Sequence, residues 1–542
     1  MSALSILNQF WLQIFLAFIL IAFRVYYGQE PAKSDSSGFS YYFNEIRSKS
    51  IMKKFKDQAL IFLNPIFNKL SHSHSHSHSQ SHLDHHLNLR LDNHLLNHDV
   101  TVQLFQWHHL DVANECENFL APFGYRYAQI SPPQEHILGH QWWTAYQPVS
   151  YELTSKRGTE ADFDQMIKRC KAVGVGIIVD VIFNHMTAGS TNETSFGTSN
   201  SPYKKYNYPN LYSEIHFHKC RPGNDQVIQN WSSRHEIQNC ELLGLADLNT
   251  ANHNVQRHLK SYLKRLNSKG VSGIRVDAAK HILASELAKI LSNTLMRVVQ
   301  EVIFTPGEVI KPNEYMNIGR LHLFQASIDV RRMFLTDGIA HLGDPIPWGQ
   351  KWGEGYLPSS HSQVFVTNWD IERQEGALRI DHDPKTYLLC QSFLLVWNYG
   401  QVDVFSGYNF TNFDDPPQRL RVHCGSYGWR CEHRHPMVIG AMRLRAASLG
   451  EPVANIATSG KQRLRFNRGS KVFVAFNNDD TSWSIDGVPI GLPTPPPGKS
   501  YSNLLTWADQ QTSVAIKIDN DTGQVLLQSV NIPPRSAIGI MI

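Results

Sequence analysis

From Val100 onward the chain alternates between two textures. Short runs of β-branched and aromatic residues, VTVQLFQW (100–107), YAQISPP (127–133) and GIIVDVIFNH (176–185), read as buried strands. Between them, DVANECENFLAPFG (111–124) and EADFDQMIKRCKAVG (160–174) carry apolar residues at helical spacing and stop at glycine, a common helix terminator. The alternation continues through NVQRHLKSYLKRLNSKG (254–270), GIRVDAA (273–279), SELAKILSNTLMRVV (285–299) and VIFTPGEVI (302–310). Strand and helix in turn over this length predict a parallel barrel across 100–452. The pattern lapses between His185 and Asn249 into a stretch rich in Gly, Asn and Tyr, too long for a plain connection. That stretch, about 186–249, predicts a functional loop or a subdomain of its own. After Gly450 helical spacing vanishes. KQRLRFNRGSKVFVAFNND (461–479), SVAIKIDNDTGQVLLQSV (513–530) and RSAIGIMI (535–542) predict a terminal antiparallel β-sandwich over 453–542.

The first hundred residues follow neither texture. Residues 1–28 lack a basic start, run apolar from Phe10 to Phe23 and then meet Arg24. This reads as a signal peptide or an uncleaved signal-anchor. The run is short of the roughly 20 residues that a bilayer span needs. Residues 29–99 are polar, with SHSHSHSHSQSH at 71–82. Imidazoles are good metal ligands, but without fixed geometry a low-complexity linker is the plainer reading.

At 542 residues, with apolar content of 42% and charged content of 18%, the chain can hold a large core and more than one domain. A net charge of +4 is too small for this length to indicate a nucleic-acid partner. Seven cysteines in an exported chain suggest three bridges and one spare. Cys390, inside the apolar helical pattern YLLCQSFLLVW, is the candidate free thiol. Four sequons, at Asn192, Asn230, Asn409 and Asn520, suit a secreted protein. An extracellular location is therefore expected, with membrane attachment through residues 10–27 if the leader stays on.

Candidate chemistry sits where strands stop. DVIFNHM (180–186), GIRVDAAKH (273–281), GEVI (307–310) and FVTNWD (365–370) each tie an apolar run to a carboxylate or imidazole. A parallel barrel gathers such side chains at one mouth. Asp277, Glu308 and Asp370 suit glycosidic chemistry, in which one carboxylate attacks and one protonated carboxyl donates. Arg275, two residues before Asp277 on the same strand face, would keep it ionised.

These segments fall in one order with SPP (131–133), WWTAYQPVSY (142–151), KWGEG (351–355) and FNNDD (476–480). Over Val100 to Ile542 the chain resembles the animal-type branch of the α-amylase family of glycoside hydrolases. The resemblance implies an α/β protein: a (β/α)8 TIM barrel, an inserted B subdomain after the third strand and a C-terminal Greek-key β-sandwich. It implies a monomeric, endo-acting hydrolase of α-1,4-glucans that retains configuration through a covalent glycosyl-enzyme. Asp277 would then be the nucleophile, Glu308 the general acid/base and Asp370 the acid that holds sugar hydroxyls. Trp142, Trp143, Tyr146 and Gln147 would face the glucose rings. Asp180, His185 and Arg275 would line the cleavage point, with Lys280 and His281 on the leaving-group side. A structural Ca2+ is implied on the side chains of Asn184 and Asp247 and the carbonyls of Gln238 and His281, oxygen donors that suit a hard cation. The implied disulfides are Cys116–Cys170, Cys220–Cys240 and Cys424–Cys431.

Departures from the family lie close to the chemistry. Its Asn-His-Asp is here Asn368-Trp369-Asp370, which exchanges two ring nitrogens for one donor and adds bulk in the substrate site. Chloride in this family is held by an Arg, an Asn and a further basic residue. Arg275 and Asn368 match, but the third position is Asp403, whose carboxylate repels an anion, so the chloride site reads as lost. The glycine-rich loop after the third acid is QEGALRIDHDP (374–384), and Gly307 precedes Glu308 where Gln is usual. The expectation is an amylase-type hydrolase of reduced or altered activity. The alternative is a catalytically impaired α-glucan-binding protein. A third reading, a membrane-anchored barrel ectodomain, rests on the leader alone.

Overall fold

The computed structural model describes residues 100–496, 500–507 and 512–541; the leader and the His-rich linker expected at 1–28 and 29–99 lie outside them. Eight parallel strands close a barrel: β1 (Thr101–Leu104), β2 (Tyr127–Ile130), β3 (Gly176–Ile182), β4 (Gly273–Asp277), β5 (Arg297–Glu301), β6 (Arg320–His322), β7 (Ser362–Phe365) and β8 (Gln401–Ser406). Each pairs with its neighbours in chain order and β8 pairs with β1. The expected α/β TIM barrel is therefore present. Its strands are Val- and Ile-rich because both faces are covered, one by helices and one by the barrel interior.

Helices α1 (His109–Glu115), α2 (Glu160–Ala172), α3 (His253–Lys269), α4 (Ala284–Leu291), α5 (Phe324–Arg332), α6 (Pro384–Val396) and α7 (Pro436–Ala447) lie between and after the strands. Their ends follow local chemistry. Thr159 and Asp162 form a reciprocal capping box at the start of α2. Gly270 closes α3 at φ 93°, a conformation that costs glycine little. Helix α6 is buried from Thr386 to Val396, which explains its unbroken apolar sequence. Phe393 on its inner side meets Phe466 and Phe476 of the terminal β domain.

The segment between β3 and β4 holds a short antiparallel pair, Ser195–Phe196 with Pro202–Tyr203, and a helix at Arg234–Asn239. Past α7, strands β9 (Val453–Thr458), β10 (Arg463–Arg468), β11 (Val472–Asn477) and β12 (Ser536–Met541) form a four-stranded antiparallel sheet in that order. Smaller two-stranded sheets face it over a separate core that includes Phe473, Ile490, Leu527 and Ile540. Among the described residues no helix is long and apolar enough to cross a membrane.

All three expected disulfides form, and Cys390 is free and buried. Burial pushes its thiol well above the ordinary range. Cys116–Cys170 joins the end of α1 to α2 across 54 residues. Opening it in a Cys116→Ser/Cys170→Ser variant should cost about 3–4 kcal/mol of stability through the freed loop, measurable as a lower denaturant midpoint.

Candidate active site

The barrel mouth is organised around one guanidinium. Alternation along β4 points both Arg275 and Asp277 inward. Asp180 is the register partner of Arg275 on β3, so those two side chains also meet. Arg275 Nη1 donates to Asp180 Oδ1 and Oδ2 at 2.8 and 3.0 Å and to Asp277 Oδ1 at 2.7 Å. Its Nη2 forms an ion pair with Glu301, the last residue of β5. Asp370, in the loop after β7, is close enough to feel Glu301, Arg275 and Asp277.

Four carboxyls thus share one buried cation, and they cannot all be ionised without a large excess of negative charge. Burial is the first cause of the upward shift in each. It lifts Asp180 to about 8 and Asp370 to about 7, and it also raises Asp277 and Glu301, with Arg275 opposing it throughout. The group therefore holds protons near neutrality and titrates as a unit.

Glu308 is not in this group. Strand β5 ends at Glu301, and Glu308 follows seven residues later in the turn Thr305–Glu308, where it accepts from Thr305 N and Oγ1 at 3.1 and 2.8 Å. Its other oxygen meets Lys280 in an ion pair. Gln300-Glu301-Val302-Ile303 and Gly307-Glu308-Val309-Ile310 share the triplet Glu-Val-Ile, and only the first stands at a strand end. The Gln missing before Glu308 is present before Glu301. Glu301 is also fixed by the backbone amide of Ala278, which donates at 2.9 Å from a left-handed conformation at φ 48°.

Aromatic side chains form the adjoining wall. Trp369 is 4% exposed, stacks on Phe105 at 5.1 Å and covers Arg275 at 5.0 Å from its ring centre. Phe105 stacks in turn on Tyr408 at 5.7 Å. Tyr146 stands 5.9 Å from Trp369 and donates its hydroxyl to Asp180. Trp142 is buried against Phe105, Tyr146 and Phe413 with its indole N–H on the Phe413 carbonyl, so it packs rather than offering an open face. Trp143 and Tyr146 remain partly open. Gln147 accepts from the Ala188 amide, and His185 Nε2 lies 3.0 Å from the Tyr146 carbonyl. Arg373 braces the wall, donating to the Trp369 carbonyl and lying over the Trp142 and Phe410 rings.

The oxygens expected to hold a cation come from adjoining segments. Leu248 N donates to Asn184 O at 2.9 Å, which brings the chain at Asp247 beside Asn184. His281 Nδ1 meets the Ile237 carbonyl at 2.8 Å, tying its turn to the helix that carries Gln238. Asp247 is buried, and burial pushes its carboxyl up to about 7 against the pull of His218 and Asn184. One carboxylate with amide and carbonyl oxygens is a donor set that suits a hard divalent ion, and here Asp247 Oδ2 also meets His218 Nδ1 at 2.6 Å. Among the described residues there is no cluster of three His, Cys, Asp or Glu.

On β8 Asp403 is bonded to Gln103, Gln363 and His322. This cluster was not anticipated from sequence.

The profile of the α-amylase catalytic domain matches residues 131–316. The chain is 39% identical over 389 residues to the α-amylase of Streptomyces violaceus, covering 71% of this chain and 66%, just under two thirds, of that protein. It is 34% identical to the α-amylase-related protein of Drosophila orena, covering 75% of this chain and 85% of that protein. Its structure superposes on a mutant of α-amylase I from Eisenia fetida in complex with maltohexaose, with TM-score 0.75 and 28% identity, covering 82% of this chain and 97% of that one.

The buried carboxyls set a pH dependence of stability. Folding lifts Asp180 from 3.8 to about 8, so between those values the folded chain keeps a proton that the unfolded chain has released. Stability from this group is present at low pH and is lost as pH rises through that window. The denaturant midpoint of Asp180→Asn should fall less steeply with pH over the same range than that of the parent chain.

Proposed function

Because the chain belongs to the α-amylase family, we propose that it hydrolyses internal α-1,4-glucosidic bonds of an α-glucan with retention of configuration. The observation that carries this reading is the bridging of Asp277 and Glu301 by the two Nη atoms of Arg275. Two carboxyls on one guanidinium stand side by side, and retaining hydrolysis uses a pair of carboxyls about 5–5.5 Å apart. Asp277, bonded directly to Arg275, would attack the anomeric carbon. Glu301, raised by burial, would pass its proton to the departing glycosidic oxygen and then take one from the incoming water. Asp370 and His185 would hold sugar hydroxyls, Trp143 and Tyr146 would meet the ring faces, and Lys280 with Glu308 would edge the leaving-group side. The maltohexaose bound to the Eisenia fetida neighbour supports an α-glucan as substrate.

Asp247 and Asn184, with the carbonyls of Gln238 and His281, would hold a calcium ion that ties the B segment to the barrel and so supplies stability rather than chemistry. Chloride would have no activating role. Asp403 and the four carboxyls round Arg275 make the interior a poor host for a further anion. Three disulfides support an extracellular location.

Hydrolysis of a chromogenic maltooligosaccharide by the full chain, beside Glu301→Gln and Glu308→Gln, tests the assignment. Glu301→Gln should lose on the order of 10³-fold or more in kcat/KM and Glu308→Gln no more than about 10-fold. The reverse order would return the acid to Glu308. A folded parent chain that binds starch without turnover would mean that Trp369 closes the subsite and that the protein is a binding one. For calcium, chelation should lower the melting temperature of the parent chain, while Asp247→Asn should melt at one temperature with or without chelator.

A further inference from the structure

Among the described residues, the barrel interior holds an imidazole–carboxylate pair that this mechanism leaves idle. His322 is the register neighbour of Glu301 on the next strand, and Gln363 on β7 is the register neighbour of His322. His322 Nε2 lies 2.9 Å from Asp403 Oδ2. The same oxygen accepts from Gln103 Nε2 at 2.8 Å, and Oδ1 accepts from Gln363 Nε2 at 2.5 Å. The His322 and Asp403 side chains are 4% and 1% exposed. Of the groups bonded to Asp403, the two amides are neutral, and only the imidazole can carry a positive charge.

The Asp403 carboxylate, sealed from water, fixes the orientation of the His322 ring through Nε2. The pair is then a dipole of fixed direction. Its positive end lies on β6 beside Glu301, and its negative end lies on β8, which adjoins β1 and β7. Glu301 also faces Arg275 and Asp277 from β4, the Ala278 amide, Asp180 from β3 and Asp370 from the loop after β7. His322 thus faces the acid from the side opposite Arg275, and a positive charge on its ring favours the ionised form of Glu301. Its other close neighbour, the Phe365 ring at 5.5 Å, carries no charge.

We propose that His322, held by Asp403, is a positioning residue for the proton of Glu301, and that this pair governs the upper pH limit at which the acid still donates. The inference rests on the reading of Glu301 as the proton donor. A cation beside a carboxyl favours its ionised form, so the pair brings proton loss to a lower pH than burial alone would give. A space-filling role would leave that limit untouched.

The test is the pH profile of kcat/KM, whose alkaline limb reports the acid of the free enzyme. It is measured on the full chain, on His322→Gln and on the charge-balanced double variant His322→Gln/Asp403→Asn. In His322→Gln the alkaline limb should move up by about one pH unit, the scale expected for a unit charge on an adjacent strand in a partly screened interior. The double variant should move in the same direction by less, since the more distant negative charge is removed as well. An alkaline limb unchanged in both variants would overturn the proposal, even if the rate falls. A double variant that fails to fold would also overturn it, assigning the pair to stability. Glu301→Gln, run in parallel, separates the two claims: full activity there means the acid is misidentified, whereas its loss beside unmoved limbs means that the pair alone is misread.

Discussion

Everything at the barrel mouth depends on how Arg275 is kept charged and in place with almost no water around it. A lone buried guanidinium would be prohibitively costly, and so would any of the acids that surround it. Together they are tolerable because strand register delivers the partners without side-chain searching. Asp180 lies across the β3–β4 ladder, Asp277 two residues on, and Glu301 at the end of the next strand. The cost of leaving so much negative charge about one cation shows in the upward shifts of the carboxyls. In the proposed mechanism those same shifts would let one carboxyl serve as an acid near neutrality while another attacks.

Trp369 fits into this arrangement in a way its sequence does not suggest. Seen as a replacement for histidine, it is a lost hydrogen-bonding group. In the fold it lies flat on Phe105 and over the guanidinium, a contact that favours the charged form of Arg275. The loop that carries it is pinned by Arg373, whose own partners include Glu372, and Glu372 is shared with Arg430 beyond β8. The wall that a glucan would meet is therefore continuous from the end of β1 to the segment after β8. A polar contact has been exchanged for a sealed aromatic cover.

The barrel and the terminal β domain were legible because periodicity and motif order are local properties of a chain, while the three disulfide pairings came from the family resemblance alone. That Asp277, Asp370, Arg275 and Asp180 meet at one mouth was legible for the same reason: each ends or follows an apolar run of the right length. Glu301, the acid of the proposed mechanism, went unremarked because its strand, Arg297–Glu301, merges into Val302-Ile303-Phe304 without a break, which hides the strand end, while the later Gly307 advertises a turn. Counting about five residues from the start of the run, the usual length of a barrel strand, would have found it. Trp142 was read as an open platform because exposure is not written in a Trp-Trp pair; it depends on Phe105 and Phe413, far away in the chain. The His322–Asp403 pair was invisible for a related reason, since nothing near either residue announces a partner 81 positions distant.

Cys390 has a bearing on how this molecule fails. It is the one thiol in a protein with three disulfides, and the thiolate is the form that attacks a disulfide. Inside α6, burial keeps that sulfur protonated and out of reach, so the native cross-links are insulated from it. Unfolding removes both protections in one step. A chain that has opened once carries its own reagent for reshuffling its bonds, and the mispaired forms it makes cannot return by refolding alone. Its endurance is accordingly a matter of how rarely the α6 layer opens, and so of an unfolding rate more than of an equilibrium.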